Sequence, residues 1–261
     1  MSKGIFRRAG LTFPGKQWAD ALTGVPWFSG DALQAAFCQV VRDSSGPTER
    51  THLRDTCLQP TEAPLFCRDE SAPKCFVCAI VDATHECVRL RTYHSNSGAD
   101  KLLYTIWEAG RATSAAPLYF PLMEIRGHRY YDGGMQSNNP TLETVEEAYL
   151  LHGADASIHA IVSIGTGRRE SHEPSGNLIR VMKSLSARNT NTEAKHDDFL
   201  RRYGDLRGSY FRLQEPDALG KVDLAASNKL EQVEKFAEDY FVSEHGWDLI
   251  SRCALKLRRS P

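Results

Sequence analysis

The sequence lacks an apolar stretch long enough to cross a bilayer. Its longest uninterrupted apolar run, residues 75–81, is far shorter than the roughly 20 residues that a transmembrane helix needs. Residues 1–8 carry charge but are not followed by an apolar segment, so they do not form a secretory signal. These absences predict a protein that neither spans a membrane nor is secreted, and we expect a cytoplasmic location.

The sequence also lacks an excess of charge of either sign. Its 32 Lys and Arg nearly cancel its 33 Asp and Glu, and the 19 Gly and 12 Pro follow no period. A general attraction to nucleic acid is therefore excluded, and so are collagen-like folds. Seven cysteines, an odd count without a secretory signal, indicate reduced thiols that serve mostly as small core residues.

Apolar patterns in the first half of the chain predict helices and strands in alternation. Residues 31–41 have helical spacing after an Asp, and residues 102–116 have mixed helical spacings. Residues 74–81 are short, apolar and rich in strand formers, which predicts a strand buried on both faces of a parallel or mixed sheet. Residues 88–93 alternate as a second strand, and the polar stretch 42–72 is predicted to be a surface connection.

The second half continues this alternation and then becomes helical. Two short strands are predicted at 123–125 and 128–131, around a turn that contains Gly127. Asn139 is predicted to cap a helix that starts at Pro140 and ends before Gly153, and a buried strand is predicted to follow. That strand spans residues 158–164, and the later amphipathic helical segments lie around 178–185, 199–203 and 230–241.

This order of elements predicts the fold class. Strands that alternate with helices over the first two thirds of the chain indicate an α/β layered fold. The remaining stretch, residues 171–261, is predicted to be a helical extension of the part formed by residues 1–170.

The most informative segment for chemistry begins at Asp132 and ends at Pro140. Asp132 follows a predicted strand, and Gly133 and Gly134 allow close approach of another chain segment. The following helix start supplies backbone N–H donors, so such an aspartate can face a cleft. Taken alone, the tripeptide Asp-Gly-Gly also fits an ordinary turn that is followed by an asparagine helix cap.

The longer string resembles the patatin-like phospholipases, of the kind found in large fungal proteins. The resemblance rests on Asp-Gly-Gly-x-x-x-Asn-Asn-Pro at 132–140, on Ala-Thr-Ser-Ala-Ala-Pro at 112–117 and on Val-Ser-Ile-Gly-Thr-Gly at 162–167. It runs from about residue 102 to 167, weakens over 74–93 and is faint beyond 168. It implies that residues 1–170 are the C-terminal portion of a patatin-like domain, with part of a three-layer α/β/α fold.

The resemblance also implies a catalytic role. In that family the Asp of the Asp-Gly-Gly motif accepts the proton of a serine in a G-x-S-x-G turn, and this role passes to Asp132. Gly133 and Gly134 complete the motif, and Asn138, Asn139 and Pro140 support it. The implied substrate is a lipid or other acyl ester, and Ser–Asp dyad chemistry requires no metal or cofactor.

This sequence departs from the family pattern because none of its 19 glycines begins a G-x-S-x-G. The glycine-rich loop that would stabilise the oxyanion is missing as well. We expect both parts to belong to a segment before Met1, so the chain alone is predicted to be inactive. The alternative is a catalytically inactive patatin-like remnant that acts as an interaction or regulatory module.

Several other residues suggest competing functions. Zinc is commonly bound by cysteine and histidine, and this part of the sequence contains Cys75, Cys78, His85 and Cys87. Because Cys75 and Cys78 lie in a predicted apolar strand, core packing is favoured over zinc binding for them. The motif at 165–167 with the arginines at 168–169 is a weak phosphate-loop candidate and is better explained as a strand-to-loop turn.

Serine 137 and the histidines do not complete a hydrolase site. Ser137 lacks the sharp turn of a nucleophile and is predicted to lie at a turn or helix entry, and His128 is predicted to lie in a hairpin or on the surface. The basic residues 256–259 fit a helix end in water better than a lipid-binding patch, although peripheral membrane contact stays open.

The same resemblance bears on partners. Without the family's central strands, the strands at 74–81 and 158–164 would leave backbone groups unpaired. We therefore expect either a protein partner or the missing N-terminal segment to complete the sheet.

Overall fold

The computed structural model of this chain describes residues 26–44, 63–65, 71–95, 104–117, 119–167, 192–216, 219, 222 and 226–258. The fold is mixed α/β, as the alternation of apolar patterns predicts. It consists of two compact units, Met1–Ser137 and Asn138–Pro261. The predicted division at residue 170 stays a prediction, because residues 168–191 lie outside the described residues.

The first unit contains a four-stranded antiparallel sheet. Its strands are β1 (Phe76–Val81), β2 (Cys87–Arg91), β3 (Met123–Ile125) and β4 (His128–Asp132), in the order β2-β1-β4-β3. The predicted pairing of β1 in a parallel or mixed sheet is wrong, because β2 and β4 both run antiparallel to it. The expectation of unpaired backbone in this strand is wrong as well, since β1 has a partner on each side.

Two helices accompany this sheet. They are α1 (Gly30–Ser44) and α2 (Ile106–Thr113), which confirms both predicted helices although α2 is shorter than 102–116. Helix α2 begins at a capping box in which Thr105 Oγ1 accepts the Glu108 N–H and the Glu108 carboxylate accepts the Thr105 N–H. The buried core between helix and sheet comprises Ala79, Leu90, Ala109, Ala112, Ile125 and Tyr130.

The β3–β4 hairpin turns through two residues in the left-handed region. Arg126 has φ 49° and Gly127 has φ 80°, and Ile125 pairs with His128 across them. This is the backbone that a tight two-residue hairpin requires, and it confirms the predicted turn. Strand β4 then ends at Asp132, and a four-residue helix, α3 (Gly134–Ser137), follows directly.

The second unit contains a two-stranded parallel sheet and most of the remaining helices. Its strands are β5 (Ile161–Ile164) and β6 (Tyr210–Leu213), which pair from Ile161↔Tyr210 to Ile164↔Leu213. The stretch predicted as a helical extension therefore also contributes a strand. The α-helices are α4 (Thr141–His152), α5 (Thr192–Arg202), α6 (Leu230–Val242) and α7 (Glu244–Arg258), with 3₁₀ turns at Gly204–Ser209 and Ser227–Lys229. The segment predicted around 178–185 lies outside the described residues.

Two local predictions for this unit need correction. Pro140, and not Asn139, is the N-cap residue of α4, and no side chain caps that helix; Gly153 closes it as predicted. Strand β5 is not buried on both faces: Ile161 and Ser163 are buried, whereas Val162 and Ile164 are exposed. The Asn139 side chain does not cap the helix, because it forms hydrogen bonds to other residues, as described below.

The buried core of the second unit joins α4, β5, α5 and β6. Phe199 is fully buried, and its ring lies 4.5 Å from that of Tyr210. Within the described part of the chain, no helix is both long and apolar enough to cross a membrane.

Candidate active site

Asp132 is the last residue of β4, and the sheet fixes its backbone. It lies opposite Ala79 of β1, which is fully buried. Its N–H donates to the carbonyl of Ala115 at 3.1 Å, just beyond helix α2. The main chain at this residue is therefore held by both the sheet and the segment after α2.

The carboxylate of Asp132 is bound by the turn that follows it. The N–H of Gly134 donates to Asp132 Oδ1 at 2.7 Å. Burial raises the pKa of the Asp132 carboxyl above its ordinary value, and the bond from Gly134 offsets part of this rise. A carboxylate with a raised pKa is a stronger proton acceptor, so this group has the properties of a general base.

Gly133 lets the turn lie against β1. A methyl group at this position would come within 2.7 Å of Cys78 Cβ and still closer to the Cys78 carbonyl group. Only glycine avoids this overlap without a shift of the strand. The first glycine of the motif is thus required by packing, whereas the second supplies the hydrogen-bond donor for Asp132.

The three residues named as supports lie at the start of the second unit. Asn138 is partly buried, Asn139 is 3% exposed and Pro140 is exposed. The side-chain oxygen Oδ1 of Asn139 accepts hydrogen bonds from Thr141 Oγ1 at 2.6 Å and from Ser163 Oγ at 3.2 Å. Asn139 therefore links α4 to β5, which is a different role from the predicted helix cap.

This buried polar cluster continues to β6. Arg212 Nη1 donates to Ser163 Oγ at 2.8 Å, and Arg212 Nη2 lies 3.7 Å from a carboxylate oxygen of Glu193 in α5. The Arg212 side chain is only 9% exposed. No sequence pattern marked Arg212, because it is far from Ser163 along the chain and the parallel pairing of β5 and β6 brings them together.

Ser137 is buried and is the last residue of α3, so it lies at a helix end and not at the predicted turn or helix entry. The Cys87 thiol lies 3.6 Å from its hydroxyl. His128 begins β4 and is exposed, as predicted for a hairpin residue. The described residues contain no G-x-S-x-G serine near Asp132, in line with the sequence itself.

The residues weighed as zinc ligands do not form a metal-binding group in the part of the chain that is described. Cys78 is buried as predicted, but Cys75 is exposed, so the expectation of core packing is wrong for Cys75. The ring of His85 lies beside the phenol of Tyr131. Among the described residues, no group of three or more His, Cys, Asp or Glu has a metal-binding arrangement.

The other two candidate motifs are only partly described. The N–H of Gly165 donates to the Leu213 carbonyl at 2.8 Å, and Gly167 has φ 102°, so this segment forms the turn after β5. The arginines at 168–169 lie outside the described residues. Lys256 lies in the last turn of α7, and Arg259 lies outside the described residues.

Comparison with known proteins assigns the sequence of this chain to a family. The family model of the patatin-like phospholipases matches residues 10–145, more than half of the chain. The chain therefore belongs to the patatin-like phospholipase family, a family of lipid acyl hydrolases. The match starts far upstream of residue 74, where the resemblance of individual motifs begins, and it includes the Asp132 turn.

Individual relatives to which the chain is similar are named as phospholipases. Over 64 residues the chain is 42% identical to phospholipase A I of Arabidopsis thaliana, which is 24% of this chain and 5% of that protein. Over 68 residues it is 44% identical to calcium-independent phospholipase A2-gamma of Oryctolagus cuniculus and 43% identical to the protein of that name from Homo sapiens. These two matches cover 26% of this chain but only 8% and 9% of the relatives.

Proposed function

We propose that this chain supplies the general base of a lipid acyl hydrolase, with Asp132 in that role. The observation that carries the proposal is the environment of its carboxylate, which is partly buried, has a raised pKa and is bound by the Gly134 N–H. Gly133 and Gly134 hold this geometry. Family membership gives the reaction class, hydrolysis of a lipid acyl ester.

The chemistry assigned to Asp132 is proton transfer from a serine hydroxyl. A neutral hydroxyl is a poor nucleophile, and a carboxylate within about 3 Å can accept its proton as the oxygen attacks the ester carbon. The carboxyl group then returns the proton to the leaving alcohol. Since this sequence contains no G-x-S-x-G, the proposal assigns only the base to this chain, and the serine and oxyanion donors would come from another segment.

The test is ester hydrolysis by this chain joined in frame to the coding sequence upstream of Met1. Phospholipid vesicles and p-nitrophenyl esters are the substrates, and Asp132→Asn is the decisive variant because it preserves shape but cannot accept the proton. We expect Asp132→Asn to lose roughly a hundredfold or more in kcat. Full activity of that variant, or a fused protein that cleaves no ester, would contradict the proposal.

A non-catalytic interaction module is the second candidate, and the missing serine motif together with strand β5 favours it. Val162 is 42% exposed and Ile164 is 75% exposed, an apolar strand face that a partner could cover. If the upstream sequence contains a stop codon and no G-x-S-x-G, the catalytic proposal fails and the interaction module becomes the favoured function. A chain that purifies as a stable monomer and captures no partner in cells would oppose the module.

A further inference from the structure

The turn between β1 and β2 contacts the chain on both sides of Asp132. His85 lies in this turn, and its ring Nδ1 is 2.8 Å from the phenol oxygen of Tyr131, the residue before Asp132. The main-chain carbonyl of His85 accepts a 2.9 Å hydrogen bond from Gln136 Nε2, four residues after Asp132. A single residue of the turn therefore binds both flanks of the candidate base.

The turn itself has a defined conformation. His85 adopts φ 57°, a left-handed backbone that histidine tolerates better than most residues. Its N–H donates to the Val81 carbonyl at 2.8 Å, and the Val81 N–H donates to the Glu86 carbonyl at 3.0 Å. Asp82 adds an ion pair to Arg129 of β4 at 2.6 Å. The turn is thus anchored to β4, the strand that carries Asp132.

The contact with Gln136 matters because helix α3 has only four residues. A helix this short has no stability of its own and depends on contacts with its surroundings. Its first residue, Gly134, supplies the N–H that binds Asp132 Oδ1. Anything that fixes α3 therefore also fixes the donor that orients the carboxylate.

We propose that His85 is a positioning residue for the Asp132 carboxylate: its ring fixes Tyr131, and its carbonyl fixes α3 through Gln136. His85 does not touch the carboxylate, and it has no place in Ser–Asp dyad chemistry. The catalytic meaning of this role rests on the proposed function of Asp132. The bonds themselves are properties of the fold and can be tested without turnover.

The experiment measures amide hydrogen exchange by NMR in the whole 261-residue chain. His85→Gly keeps a left-handed backbone, removes the ring and loosens the turn, whereas Gln136→Leu removes the side-chain donor of α3. We expect either variant to speed exchange at Gly134 and Ser137 by roughly tenfold, which corresponds to one lost hydrogen bond. Exchange at Ala79 and Ile80 in the core of β1 should stay within about twofold of wild type.

Two further variants separate positioning from a general effect on stability. Asn places its Oδ1 where His places Nδ1 and also tolerates positive φ, so His85→Asn should restore slow exchange at Gly134. Arg126→Gly is the matched control, because Arg126 is also an exposed left-handed turn residue of this sheet but lies at its other hairpin. Arg126→Gly should leave the exchange rates of Gly134 and Ser137 in α3 unchanged.

Unchanged exchange at Gly134 and Ser137 in both His85→Gly and Gln136→Leu would overturn the inference. Equal acceleration at Ala79 and Ile80 would overturn it too, since His85 would then stabilise the whole sheet. Neither outcome bears on Asp132 as a base. The proposed function is tested by the upstream sequence and by ester hydrolysis in the fused protein and its Asp132→Asn variant, and none of these outcomes changes amide exchange in the 261-residue chain, so the two failures are distinguishable.

Discussion

Strands β1 and β5 have similar apolar sequences, yet they differ in their strand pairing and in the exposure of their side chains. Strand β1 is hydrogen-bonded on both sides, and its central residues Cys78, Ala79 and Ile80 are buried. Strand β5 pairs only with β6 among the described residues, and its Val162 and Ile164 side chains are exposed. An apolar run thus predicts a strand, but the elements that pack against each of its faces decide whether that face is buried, as helix α2 does for Ala79 of β1.

The polar side chains at these two strands also differ in their hydrogen bonding. Among the described residues, Asp132 next to β1 accepts a hydrogen bond from the Gly134 N–H, and burial raises its pKa. Ser163, within β5, lies in a network of side chains with Asn139, Thr141 and Arg212. The Gly134 N–H thus holds the Asp132 carboxylate through Oδ1, whereas the Ser163 hydroxyl both donates and accepts within its network of side chains.

The largest expected effect tests the burial of the two strands directly. Ile80→Ala in β1 should lower the free energy of unfolding by about 4 kcal/mol, because Ile80 is fully buried and its removal leaves a cavity. Ile164→Ala in β5 is the matched variant and should cost less than about 0.5 kcal/mol. Urea denaturation followed by circular dichroism measures both, and a cost at Ile164 as large as that at Ile80 would show that a partner covers β5 in solution.

A second prediction concerns the close approach of the Asp132 turn to β1. Gly133→Ala should cost about 2 kcal/mol, because the added methyl group overlaps Cys78 and the strand must shift. Gly204→Ala is the control in the second unit, where no atom lies within 4 Å of the added carbon. Thermal unfolding of the two variants gives the comparison, and equal melting temperatures would contradict the packing described here.

The third prediction addresses the polar network of β5. Ser163→Ala removes the acceptor of Arg212 Nη1 in a buried site and should cost about 1.5 kcal/mol. Thr144→Ala removes an exposed hydroxyl that bonds to the Pro140 carbonyl, and it should change stability by less than about 0.5 kcal/mol. A cost for Ser163→Ala no greater than that of the control would mean that water replaces the lost hydroxyl.

The smallest effect is the pH dependence of stability at Asp132. Its pKa is higher in the folded chain than the ordinary 3.8, so the folded state binds the proton more tightly than the unfolded state. The stability that Asp132 contributes is therefore complete below pH 3.8 and is lost as the pH rises through the folded pKa. The Asp132→Asn variant does not lose this stability as the pH rises.

Urea denaturation between about pH 4 and 7 measures the difference between Asp132→Asn and wild type. The stability of the Asn variant relative to wild type should grow as the pH rises and then level off. A difference that shrinks over this range would mean that the folded chain favours the carboxylate, which is the opposite of the stated shift.

Local sequence patterns predicted most of the elements around the candidate base. The helical spacing at 31–41, the Gly turn at Arg126–Gly127 and the glycine cap at Gly153 all appear in the structure. Each of these signals lies within one short, continuous segment of the chain. Local rules of spacing and backbone conformation were therefore sufficient for them.

Features that depend on distant residues were not predictable in this way. The antiparallel pairing of β1 depends on β4, and the contacts of Asn139 depend on Ser163 and Thr141. Likewise, the bond from the ring of His85 to Tyr131 arises only because β1 and β4 are neighbours. The position of Asp132 at a strand end was predictable, but the groups that surround it were determined by tertiary pairing.

The pairing of Ala79 with Asp132 also decides which chemical group this edge of the sheet presents. Side chains alternate between the two faces of a strand, so a slip of one residue between β1 and β4 would exchange Asp132 with Tyr131. A phenol would then stand in place of the carboxylate, although no residue had been substituted. Insertions or deletions in the segments that join these strands are therefore as great a threat to the site as a mutation of the aspartate itself.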